Sequence, residues 1–267
     1  MKVCTNCGEE AAEVFCARCG EKQPGHHDLT VGHFAHDFVH ELVHLDSKLF
    51  RTLRELVTKP GHLTAEYFAG RKTRYITPLR LFITLFAIHF LAYTFYQPTS
   101  MYSVARARQF DKAGALSKML EKKAAKYGMS VEAYAEKVDA RWQKNISLMQ
   151  FVNLAGIALV LQLLYRRRGR HFVEHLVFAA HFLAFGYILR LLEWPIFAIG
   201  GLQPGPLQTT IGVITFLIVI VYLYRAVRRF YGPEKAYLKT VLLWAGSVVT
   251  YLLIVAGTVL AAMLQYR

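Results

Sequence analysis

The chain of 267 residues is poor in acid, holding 18 Asp+Glu against 32 Lys+Arg for a formal net charge of +14. Charged residues reach only 19%, below the roughly 25% of an ordinary soluble domain. After Cys19 there is no cysteine at all, so no disulfide framework can organise the body of the protein. Nothing near Met1 combines a short apolar run with a small-residue cleavage pattern, so the first long apolar helix is expected to act as an uncleaved anchor. Together these shortages exclude a disulfide-stapled secreted fold. An excess of apolar residues beside an excess of positive charge fits neither a disordered chain nor a typical cytosolic enzyme.

What is present is hydrocarbon: 54% of residues are hydrophobic, and mean hydropathy is +0.27. The apolar residues come in blocks: Leu79–Tyr96, Ile146–Tyr165, Phe172–Ile199, Thr209–Val227 and Val241–Met263. Blocks near 20 residues are long enough to cross a bilayer as helices, the form that satisfies each backbone polar group within its own segment. The expectation is an all-α polytopic membrane bundle of about five transmembrane helices. It carries a small N-terminal zinc ribbon and a juxtamembrane amphipathic helix.

Lys and Arg give the orientation, because they accumulate in cytoplasmic loops. Arg71, Lys72, Arg74 and Arg80 stand before or at the start of the first block, Arg166–Arg170 follows the second, and Arg225, Arg228, Arg229, Lys235 and Lys239 stand at the end of or after the fourth; the loop 200–208 has no charge. This pattern predicts a cytosolic N-terminus and an external C-terminus. The expected divisions are a cytosolic ribbon over 1–24, a His-rich amphipathic helix and basic juxtamembrane segment over 25–77, and a first span over 78–97. An extracytoplasmic cap over 98–145 and a bundle of four further spans over 146–267 complete the chain. The cap is basic, against the charge rule, and reads as two amphipathic helices broken near Gly128.

The cysteines carry the sharpest chemical signal. Cys4 and Cys7, then Cys16 and Cys19, form two C-x2-C pairs separated by eight residues, each followed by glycine. That spacing presents two sulfurs from one tight turn, and a glycine there can take positive φ and turn its N–H toward a thiolate. Four such ligands suit zinc first and iron second. A disulfide requires an oxidising compartment, and a thioredoxin-like motif requires a single pair beside a βαβ unit; neither matches. The expected cofactor is a structural zinc.

Histidine is the other candidate ligand. His33, His36, His40 and His44 share a stripe opposite Phe34, Phe38, Leu42, Leu45, Leu49, Leu53 and Leu56, on a helix that stops at Lys59-Pro60-Gly61. His171, Glu174, His175 and His181 open the third apolar block, His89 falls inside the first, and Arg190 and Glu193 stand at i,i+3 spacing. Ionisable groups at membrane depth face a bundle interior or a cavity. Glu174, His175, His181 and His171 with His36 and His40 are therefore candidates for a second metal or a proton site. Packing against neighbouring helices and headgroups explains the same residues without chemistry. Arg71, Lys72 and Arg74 are candidates for contact with anionic lipid headgroups.

One resemblance spans most of these landmarks. The double Cys-x-x-Cys-Gly, Leu45-Asp46, the run from Arg51 to Leu56, Lys59-Pro60-Gly61, Tyr67, Ala69 to Tyr75, Pro78 and Glu174 to Ala179 resemble a bacterial family of uncharacterised zinc-ribbon membrane proteins, catalogued as a domain of unknown function. The resemblance implies a cytosolic ribbon on an inner-membrane bundle and no established reaction. The expected function is a non-enzymatic transport or membrane-assembly component, with the ribbon docking a cytosolic protein. The alternative is a membrane-embedded His/Glu metalloenzyme acting on a lipid. No nucleic-acid partner is expected, since residues 1–24 lack a basic and aromatic patch.

Overall fold

The computed structural model describes residues 2–4, 6–11, 16–19, 47–96, 104, 108, 111, 114–166, 169–200 and 206–264. Two short strands, β1 (Lys2–Val3) and β2 (Glu10–Ala11), pair antiparallel with Lys2 opposite Ala11 and Val3 opposite Glu10. All other regular structure among the described residues is helical.

Helix α1 (Ser47–Thr58) ends at the Lys59-Pro60-Gly61 stop, and α2 (His62–Phe68) follows at once. The earlier part of the expected amphipathic helix, including His33, His36, His40 and His44, lies outside the described residues. The next helix, α3, covers Pro78–Tyr96. The cap contributes α4 (Ala115–Lys126) and the first part of α5 (Val131–Tyr165), with the break at Tyr127–Ser130. Ser130 caps α5 by accepting the Ala133 N–H at 3.2 Å. Helix α5 then runs without interruption into the second apolar block, so cap and bundle share one rod of 35 residues. The chain closes with α6 (Phe172–Gly200), α7 (Pro206–Tyr231) and α8 (Ala236–Leu264).

Among the described residues, three stretches are long and apolar enough to cross a bilayer: Phe172–Ile196, Thr209–Tyr231 and Ala236–Ala261. Helices α3 and α5 offer shorter apolar stretches, Pro78–Ala92 and Met149–Tyr165. At 1.5 Å per residue these two cover about 23 and 26 Å, less than the roughly 30 Å of hydrocarbon. The charged start of α5 belongs to the cap, and this shortens its greasy portion.

The main core gathers Leu56, Leu63, Leu81, Phe82, Leu161, Phe178, Leu223 and Leu243 from seven helices. A separate cap core packs Val104, Leu120, Ala124, Tyr134 and Val138. Asp139 holds the cap together by accepting the Val104 N–H at 2.7 Å. Burial raises its carboxyl above the ordinary range, partly offset by that bond.

Candidate functional site

The four cysteine sulfurs lie within 4.8 Å of one another, Cys4 and Cys7 coming from the turn between β1 and β2. Cys4 and Cys19 are 3.6 Å apart, as are Cys7 and Cys16, and none is in a disulfide. A tetrahedron with metal–sulfur bonds of about 2.3 Å has edges of about 3.8 Å, so the four sulfurs fit one metal ion. The turn is built as its residues require: Gly8 takes φ 79° and donates its N–H to the Cys4 carbonyl at 2.9 Å, while Cys4 N–H reaches Glu9 O at 2.8 Å. Arg18 of the second pair reaches Glu9 beyond the first at 2.6 Å, an exposed contact between the two turns.

The thiols do not ionise alike. A backbone hydrogen bond from Cys7 outweighs burial and holds Cys4 down to about 6. For Cys7 a backbone hydrogen bond from Glu9 favours the thiolate, yet burial and the three neighbouring sulfurs push it up to about 12. Ionised together, four thiolates this close would repel one another unless a cation lay among them. Among the described residues this is the only gathering of three or more Cys, His, Asp or Glu ligands.

The third block is arranged differently. Along α6, His181 lies six residues beyond His175, about 9 Å deeper along the axis. Glu174, His175 and His181 have separate partners, and only the two histidines reach other helices. The Glu174 carboxylate takes the Arg170 guanidinium and the His171 N–H, so it caps the start of its own helix. Arg170 also donates to the Phe230 carbonyl at 3.0 Å, satisfying an otherwise orphaned group at the end of α7. His175, fully buried, shares a 2.7 Å hydrogen bond between Nδ1 and the Tyr231 hydroxyl. His181 Nδ1 shares a 2.9 Å bond with Thr64 of α2, both buried. His171 is exposed. His89 lies against the rings of Tyr187 and Trp194 at 5.0 and 4.6 Å between centroids. Glu193 accepts the hydroxyl of Thr215 on α7.

What the structure gathers around His181 is a wedge made of α1, α2 and the turn leading to α3. Thr52, fully buried, donates to Lys48 O at 2.7 Å and accepts the Ile76 N–H at 3.1 Å, locking both ends of the segment together. Gly61 has φ 76°, and a Cβ there would lie 2.7 Å from the Ala226 carbonyl of α7. Only glycine combines that backbone with so close an approach. Arg229 then donates to the Pro60 carbonyl at 3.0 Å.

Of the expected headgroup contacts, Arg71 is engaged by Glu66 through both carboxylate oxygens, one of them at 2.6 Å from Nε. That fork holds the Glu66 carboxyl below its usual range, against the opposing effect of burial. Lys72 lies over the Tyr67 ring at 4.8 Å, and Arg74 is exposed. A hollow of about 10 Å³, the size of a single water, separates Arg71, Lys72 and Tyr75 from His181.

Thr64, Glu66, Thr52 and Tyr231 escaped the sequence reading because each is unremarkable until a distant partner arrives. Gly61 was visible as a stop signal, and its second task against α7 was not.

Against known proteins, residues 46–90 match the family described as Protein of unknown function (DUF3667). The match covers the wedge and most of α3, and stops short of both the cysteine hairpin and the His–Glu segment. No curated protein and no solved structure matches the chain.

Proposed function

We propose that this protein is a non-enzymatic component of a bacterial inner membrane, serving transport or membrane assembly, with a structural zinc ribbon as its docking or regulatory module. The observation that carries the reading is the contrast in ligand supply. Four cysteines close on a single centre, while His175 and His181 are each spent on joining α6 to another helix and Glu174 on capping the start of its own. A closed tetrathiolate zinc contributes folding energy and leaves no coordination position for substrate. The rival metalloenzyme requires converging His and Glu ligands, and the separate partners speak against it.

The rest of the proposal follows from charge. Five spans, counting α3 and α5, place the ribbon and the three basic clusters in the cytosol and Arg267 outside. The wedge then sits at the inner surface, where Lys72 and Arg74 meet anionic headgroups and Arg71 holds Glu66. A cytosolic protein partner would dock on the ribbon.

Elemental analysis of the full purified chain tests this. One zinc per chain is expected, lost in Cys4→Ser or Cys16→Ser and kept in His175→Ala. A second metal that survives the cysteine variants and vanishes with His175→Ala would establish the enzyme instead. A reporter fused after Arg267 should be active outside the cytosol.

A further inference from the structure

Between α5 and α8 runs an open groove of about 720 Å³, lined by apolar and small residues. Its two polar side chains make no demand on a ligand: Thr250 and Thr258 donate back to carbonyls of their own helix, Gly246 O at 2.9 Å and Ile254 O at 3.0 Å. The floor is hollow at Gly257, where an added Cβ would meet nothing within 4 Å. The rims are Leu163 and Leu253, 70% and 68% exposed, so the groove opens sideways onto hydrocarbon. On α5 the lining runs from Met149 to Leu163, about 21 Å at 1.5 Å per residue, more than half the thickness of a bilayer core.

The inner end of the groove carries the opposite chemistry. Arg166 lies seven residues past Leu159, in near register with the α5 lining, and is exposed. Lys239 of α8 lies eleven residues before Thr250, where the α8 lining begins, and its ammonium is 4.2 Å from the ring of Tyr165, which is buried on the core side of α5. The groove-facing stripe of α5 therefore ends in a cation, Arg166, at one lip. An apolar slot that needs no hydrogen bond, with a cation at one end, is complementary to a chain of methylenes bearing an anionic head.

We infer that the α5–α8 groove holds one acyl chain of an anionic phospholipid, whose phosphate meets Arg166. This goes beyond the proposed function and rests on its reading of α5 as a membrane span.

The test uses the full chain in vesicles of phosphatidylcholine containing a trace of phosphatidylglycerol or phosphatidylcholine with a photoreactive diazirine on one acyl chain. Labelled peptides are then mapped by mass spectrometry. Labelling is expected to concentrate on the peptides carrying Leu163 and Leu253, above the bare outer face of α7 around Phe216. The phosphatidylglycerol probe should label them about five-fold more than the phosphatidylcholine probe. Arg166→Gln should erase that preference while keeping the labelling, and Gly257→Leu, which fills the hollow without a clash, should cut it several-fold. Ala261→Leu repeats that test should Gly257→Leu not fold. Equal labelling of the groove and of the α7 face in the wild-type protein would overturn the inference while leaving the spans intact. So would cross-linking of α8 to a second copy of the chain. Absence of label from α5 alone would remove the span it depends on.

Discussion

The cysteine hairpin and the His–Glu segment of α6 are equally rich in metal-binding side chains, yet only the first assembles them. There, ligands with two residues between them are brought together by one turn, and the two turns set all four sulfurs within reach of one another. On α6, neighbouring ligands fan around a helix, and those in register climb along it. A shared ion would have to draw them off partners that already fix α2, α6 and α7. Spacing in a turn specifies a site; spacing on a helix specifies a choice of neighbours.

That contrast can be broken or sharpened by experiment. The largest expected effect is at the hairpin. Replacing Cys16 with alanine should abolish metal binding altogether, since a structural tetrathiolate zinc is worth about 10–16 kcal/mol and one ligand is decisive for its closed geometry. Retained metal, measured by elemental analysis, would show that the ligands lie elsewhere.

Next comes the wedge. Gly61→Ala forces an L side chain into a left-handed backbone, at about 1–2 kcal/mol, and drives its Cβ against the Ala226 carbonyl, for a combined loss of about 3 kcal/mol. Denaturant unfolding in detergent should register it, and an unchanged midpoint would mean that α2 does not sit against α7.

His175→Leu removes the 2.7 Å hydrogen bond to the buried Tyr231 hydroxyl, at about 1–3 kcal/mol. Metal content should not change; a fall in bound metal would merge the two regions that the structure keeps apart.

Glu66→Gln should cost about 1–2 kcal/mol by loosening the fork to Arg71. The pH dependence has a definite sign. The folded Glu66 carboxyl is held below its unfolded value, so its contribution is complete above the unfolded pKa and fades as pH falls through the folded one. The wild-type advantage over Glu66→Gln, followed by unfolding midpoints from neutral pH downward, should therefore shrink only in acid. An advantage that grew on acidification would contradict the ion pair. The smallest effect is at Arg74→Gln, where loss of one exposed cation should weaken adhesion to anionic vesicles by about 1 kcal/mol.

The helical nature of the apolar blocks, the stop at Pro60-Gly61 and the cysteine cluster were all legible in the residues themselves. Each depends on something local: a run of hydrophobic side chains, a missing N–H or Cβ, or two thiols one turn apart. The wedge was half legible. Its boundaries could be read, but the partners that hold it down, His181, Ala226 and Arg229, are more than a hundred residues away.

Sequence by itself determined that this chain is a set of greasy helices with a four-sulfur knot at its start, because hydropathy and turn spacing act within a few residues. Tertiary structure alone decided what the buried histidines touch. A polar side chain on a helix can face any of several neighbours, and only packing selects which hydroxyl or carbonyl receives it.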